Sequence, residues 1–133
     1  MGFVVVSPNA PPRRLDGPAV RAFNGCTSVT WTPVPESAIA ILAGCGDGDP
    51  RNAPEGLPVG PIPADFARRL YRVDAARAGD DATLIHAFSA DILGLSYDDC
   101  RRVVYVWTND QRAWWVTPEG TVREDPRPTP FEL

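Results

Sequence analysis

ATLIHAFSADILG, residues 82–94, holds the only histidine of the 133-residue chain, His86, among apolar neighbours. Whether this stretch coils or extends decides where the imidazole points and how the middle of the chain is built. At about 100° per residue, Leu84, Ile85, Phe88, Ile92 and Leu95 gather within one arc of about 100°. His86 then points about 150° from the middle of that arc, towards water. Asp80 or Asp81 supplies a cap for the first free amides, and Gly94 a left-handed closing residue. These caps favour a helix over residues 81–93. The extended alternative places Leu84, His86 and Phe88 on one face.

Just upstream, the spacing predicts another helix over 63–78. Pro63 suits a first helical turn and Asp65 complements the helix dipole. Ile62, Phe66, Leu70 and Val73 recur at helical spacing, Arg68, Arg69 and Arg72 fall mostly outside that stripe, and Gly79 ends the run. Asp65 and Arg69 form an i,i+4 pair worth about 0.2–0.5 kcal/mol. Proline use agrees with regular structure here. Eleven of the 15 prolines and eight of the 11 glycines fall in residues 1–63, and residues 64–117 contain no proline.

Downstream, Ser96 suits the cap of a short helical turn through Tyr97, Asp98 and Asp99, after which the period changes. VVYVWT (103–108) is β-branched and aromatic and reads as a strand. RAWWVT (112–117) returns across Asn109–Gln111, TPEG (117–120) has the proline and glycine of a type I turn, and TVRE (121–124) adds a third strand. A β-meander over about 102–124 follows. Val103, Tyr105 and Trp107 share one face and Val104 and Val106 the other, so both faces need cover, at least in part. Trp114 and Trp115, being adjacent on a strand, point to opposite sides.

In the first half, FVVVS (3–7) and TSVTWT (27–32) read as strands. Pro35 and Gly44 bracket PESAIAILAG as a short helix would be bracketed, yet its apolar residues also alternate. Pairing with residues 27–32 across PVPES is the favoured reading. Residues 44–63 form a long irregular loop, and the tail 125–133 is extended, with Phe131 docking back. The fold class is therefore a single α+β domain: a Pro/Gly-rich strand and loop part (1–63), a helix–helix–meander part (64–124) and the tail.

Composition narrows the function. A formal net charge of −4 opposes general affinity for nucleic acid. All 13 basic residues are arginine. Lysine Schiff-base chemistry and the P-loop lysine are thereby excluded. No apolar run approaches membrane-spanning length. MGFVVVSPNAPPRR lacks the charged start and long apolar stretch of a signal peptide, and Val6 stands where myristoylation needs Ser or Thr. The three cysteines, Cys26, Cys45 and Cys100, have no C-x-x-C spacing. Reduced thiols in a cytoplasmic protein are the simplest expectation.

Four constellations could carry chemistry. Cys26 with His86, oriented by Asp91 or Asp98, has the residue types of a thiolate nucleophile, base and orienting acid. Free cysteine more often packs as a small hydrophobe, and the helical phase turns His86 outward. GDGDP (46–50) alternates Asp47 and Asp49 as calcium loops do, but the distal ligands of such a loop are missing and turn-forming is the stronger reading. GCGDGD fails the dinucleotide fingerprint because Asp49 stands at its last glycine position. Asp91, at the edge of the apolar stripe, suits the base of a cofactor-free cyclase or isomerase in a Trp-lined pocket. Finally, Trp114 and Trp115, with Arg101, Arg102 and Arg112 flanking the hairpin, have the composition of a binding hot spot. The leading expectation is a non-enzymatic interaction module (an adaptor, inhibitor or immunity-type partner) that binds another protein or itself. It uses no cofactor, no metal, no nucleic acid and no membrane. The alternative is a small cofactor-free enzyme using Cys26 and His86 or Asp91, and a small ligand in a Trp-lined cavity comes third.

Overall fold

The computed structural model describes residues 4–7, 10–74 and 81–126. Strands β1 (Val4–Ser7) and β2 (Ala10–Arg14) form a short antiparallel ladder, followed by helix α1 (Pro18–Ala22) and a 3₁₀ turn (Phe23–Gly25). Strands β3 (Thr30–Val34), β4 (Ile39–Ala43), β5 (Arg69–Asp74) and β6 (Ala82–Ala87) make a four-stranded antiparallel sheet in chain order. Strands β7 (Ile92–Asp98), β8 (Val103–Thr108), β9 (Ala113–Val116) and β10 (Val122–Glu124) make a second one, ordered β10-β9-β8-β7. β3 lies beside β7 at the margin where the two sheets meet.

Thr30–Val34 pairs residue by residue with Ile39–Ala43 across Pro35–Ala38, so the alternation in PESAIAILAG is that of a strand. The meander over 103–124 is present as expected, with β8 pairing β9 and β9 pairing β10.

The two central helices are absent. Residues 69–74 and 82–87 are strands, and the helical part of 63–78 shrinks to a 3₁₀ turn at Phe66–Arg68; residues 75–80, including Asp80, lie outside the described residues. The reason is two-sided burial. Leu70 packs between the sheets, whereas Tyr71 and Val73 pack on the opposite side of the same sheet. A surface helix buries one stripe, but a central strand covered on both faces buries successive residues. β6 carries a register irregularity opposite Leu70 and Tyr71, where Leu70 faces His86 and Tyr71 faces Leu84. The residue between them, Ile85, is thereby added to the intersheet core.

The capping residues serve other purposes. Asp81 does cap a helix, but a distant one: its carboxylate accepts from the Val20 amide at 2.9 Å and the Ala82 amide at 2.8 Å, tying β6 to α1. Gly94 sits inside β7, where a Cβ would lie 2.4 Å from the Trp107 ring. The glycine makes room for an indole laid across the sheet, and no helix ends there. Ser96, Tyr97 and Asp98 belong to β7 and form no helical turn.

Three layers result. On one side of the first sheet, Leu42, Tyr71, Val73 and Ala82 pack against Leu15, Val20, Phe23 and Phe66. Phe23 meets Phe66 and Tyr71 edge-on at 4.9 and 5.5 Å. On the other side, Val34, Ile41, Ala43 and Leu70 meet Leu95, Val104, Val106 and Val116 of the second sheet. The expectation of reduced thiols holds for Cys100 and fails for the other two cysteines. Cys26 and Cys45 form a disulfide at a sequence separation of 19. Closing a loop of that length constrains the unfolded chain by about 3 kcal/mol.

Candidate interaction surface

Among the described residues, the second sheet has one face packed against the first sheet and one outer face of half-buried side chains, here called the open face, and alternation assigns side chains to each. Val104, Val106 and Val116 are buried inwards. Tyr105, Trp107 and Trp115 point the other way and are only partly covered. On that outer face Tyr105 lies 4.7 Å from Trp115 and 6.1 Å from Trp107, ring centre to ring centre. The three rings form a band across β8 and β9.

The β7–β8 turn places a cation on this band. Asp98 Oδ1 accepts the amides of Cys100 and Arg101 at 3.0 and 3.2 Å, a side-chain turn of the kind aspartate favours. Asp98 Oδ2 also pairs with Arg101 Nη1 at 3.4 Å. So held, the Arg101 guanidinium sits 4.7 Å from the centre of the Trp115 ring. Arg102, next in the turn, is exposed and left-handed, with φ 56°. In a non-glycine residue that conformation is uncommon and stores strain.

Beyond Trp115, register places Arg123 of β10 opposite it, exposed. Arg101, Val103, Trp115, Thr121, Arg123 and Asp125 line a groove of about 980 Å³ at this end of the sheet. The Tyr105 hydroxyl donates to Asp125 Oδ2 at 3.4 Å. Burial, and then the neighbouring Asp125 carboxylate, hold this phenol above the ordinary tyrosine range.

The five residues expected to bind a partner thus separate. Arg101 and Trp115 come together on the open face. Trp114 turns inwards against the intersheet core, 5.2 Å from Phe88, with its indole N–H donating to the Thr108 hydroxyl at 3.4 Å. Arg112 lies at the opposite end of the hairpin, 3.7 Å from Asp110, and Arg102 stays in its turn. Arg123 was missed. Its signal was alternation in TVRE, which turns Val122 inwards and Arg123 towards Trp115.

The catalytic candidates do not assemble. Cys26 is buried and bonded to Cys45, so it carries no thiol for a nucleophile. His86 is a strand residue, opposite Leu70 on the intersheet side, its ring edge-on to Phe88 at 4.7 Å. Cys26 belongs to the cluster on the other side of that sheet. Asp91 is half-exposed, and its Oδ1 pairs with Arg68 Nε at 3.2 Å. It borders a cleft of about 890 Å³ that Cys45 also lines.

In GDGDP, Asp49 caps the 3₁₀ turn Pro50–Asn52, accepting the Arg51 amide at 3.0 Å. Its carboxyl is held below the usual carboxylate range by hydrogen bonds from the Arg51 side chain and amide. Asp47 accepts the Thr27 amide and hydroxyl. Phe131 and the rest of residues 127–133 lie outside the described residues. Among the described residues no helix is long and apolar enough to cross a membrane.

Neither a family model, a curated protein nor a solved structure matches this chain.

Proposed function

We propose that this protein is a non-enzymatic interaction module whose contact surface is the open face of the β7–β10 sheet. The observation that carries this reading is Trp115, stacked under Arg101 and faced by exposed Arg123 on a sheet whose other face is already packed. A half-buried tryptophan and exposed arginines beside a groove match the composition of hot spots. In a chain of net charge −4, Arg101 and Arg123 at the groove, beside Glu124 and Asp125, favour a partner segment that presents both a carboxylate and an apolar side chain to Trp115. The compartment is part of the proposal. The cytoplasmic expectation rested on reduced thiols, whereas the Cys26–Cys45 bond supports an oxidising environment, where disulfides persist.

The test compares wild type with Trp115→Ala/Arg123→Glu by crosslinking in the native host and by sedimentation at several concentrations. We expect the double variant to lose a crosslinked partner, or self-association, while its unfolding midpoint stays near that of wild type. Retention of every crosslink, together with a collapse in stability, would show the face to be structural and sink the reading.

A further inference from the structure

The junction between residues 24–27 and 45–49 is tied in three independent ways. Cys26 and Cys45 are bonded, with Cα atoms 5.9 Å apart. Thr27 donates both its amide and its hydroxyl to Oδ2 of Asp47. The Asp49 amide donates to the Gly25 carbonyl at 3.0 Å. Two of these three ties survive if the sulfur–sulfur bond is opened, so the loops remain in place around the sulfurs.

The same junction brings Cys26 Sγ, Cys45 Sγ and a carboxylate oxygen of Asp47 within 4.8 Å of one another. Thiolates about 2.3 Å and a carboxylate about 2.1 Å from a common centre are the bond lengths of a zinc site. Both bonds from Thr27 fall on Oδ2, and a ligating carboxylate is held by such outer hydrogen bonds in metal centres. Cys45 lines the 890 Å³ cleft and Asp47 is exposed, so an ion has a path from solvent.

We propose that this junction has a second chemical state, in which two-electron reduction of the Cys26–Cys45 bond creates a site for a thiophilic divalent cation held by both sulfurs and Asp47. The electrons come from a dithiol: its two thiols close into a disulfide while Cys26 and Cys45 each gain one hydrogen. Binding then releases both thiol protons to solvent and forms two metal–sulfur bonds, with water completing the tetrahedron. Disulfide and metal are alternative ties across one junction, the first suited to oxidising and the second to reducing surroundings. Sequence alone pairs Asp47 with Asp49 and Cys26 with His86. Folding brings Asp47 and Cys26 to each other instead.

The probe is cadmium, whose bonds to thiolate absorb in the ultraviolet. Full-length Cys100→Ser protein, which removes the exposed free thiol, is reduced with dithiothreitol, desalted without oxygen and titrated. We expect one cadmium per chain with the thiolate band, no band in the oxidised protein, and near-ultraviolet circular dichroism of tryptophan retained throughout. Asp47→Asn, at an exposed position, should bind at least about tenfold more weakly with the band preserved, and Thr27→Val should show a smaller loss. Three results would each overturn the proposal: no band after reduction, equal affinity in Asp47→Asn, or a band only in protein whose tryptophan signal has collapsed.

Discussion

Trp114 and Trp115 are chemically identical and one peptide bond apart, yet they do different work. Trp114 fills space between two sheets, touching Phe88 and donating to Thr108. Trp115 lies on the open side, its ring between Tyr105 and the Arg101 guanidinium. The difference teaches that in this sheet the face, rather than the residue type, fixes whether an aromatic packs between the sheets or lies on the outer side. Replacing each with alanine separates the two most strongly. Trp114→Ala removes a partly buried ring packed on the intersheet core and should cost about 2–3 kcal/mol, below the range for a fully buried tryptophan. Trp115→Ala loses a half-exposed ring contact and should cost about 1 kcal/mol. Urea unfolding midpoints of the two variants check this, and equal losses would break the comparison.

Gly94 tests how the open face is held down. A methyl group there would lie 2.4 Å from Trp107 Cζ2, so Gly94→Ala should force that indole off the sheet. Overpacking of this kind costs about 1–3 kcal/mol, at the low end where the obstructing group can swing into solvent. Trp107 is only partly covered and packs beside Tyr105 at 6.1 Å. We therefore expect a loss of about 1–2 kcal/mol and a changed tryptophan emission. A larger loss with unchanged emission would show Trp107 to be locked, and the open face to be as rigid as the packed one.

The same contrast explains what could be read in the chain beforehand. β8, β9 and β10 are joined by short turns with turn chemistry in Asn109–Gln111 and TPEG, so local signals suffice: Gly120 donates back to the Thr117 carbonyl at 3.0 Å, as that tetrapeptide implies. β5 and β6 have no such help. β5 is made a strand by β4, which pairs with it across the long loop 44–68, and by layers on both its faces. None of that is visible in a window of 15 residues. Its Phe66, Leu70, Val73 spacing is the chance overlap of a 3₁₀ turn, one residue on the inner face and one on the outer. The disulfide was equally out of reach, because cysteine spacing does not report which loops meet. The opposed tryptophans needed only the pleat, which is why that part of the site was legible while Arg123 awaited the register of β10.

Arg101 sharpens the comparison at the scale of one contact. Its guanidinium covers the Trp115 ring while its backbone amide is held by Asp98. Arg101→Ala leaves that turn's backbone bonds intact and removes the cation–π contact with the exposed ion pair to Asp98, so stability should fall by about 0.5–1 kcal/mol. Because the covered indole becomes open to water, acrylamide should quench tryptophan emission more strongly. An unchanged quenching constant would place the guanidinium away from the ring in solution.

The smallest effect is a titration. Burial, and then the Asp125 carboxylate, favour the neutral phenol of Tyr105 and raise its folded pKa above the unfolded value near 10. The sign follows from proton binding: between those two values the folded state holds the proton and the unfolded state has lost it. The contribution is therefore fully present below the unfolded pKa and lost as pH rises through the folded one. Phenolate absorbance should therefore show a late ionisation step from Tyr105. In Tyr105→Phe that late step should vanish. Asp125→Asn should shift it downwards only in part, because burial is the larger of its two causes. A complete return to the ordinary range in Asp125→Asn would mean that the open face is wetter around Tyr105 than its packing against Trp115 implies.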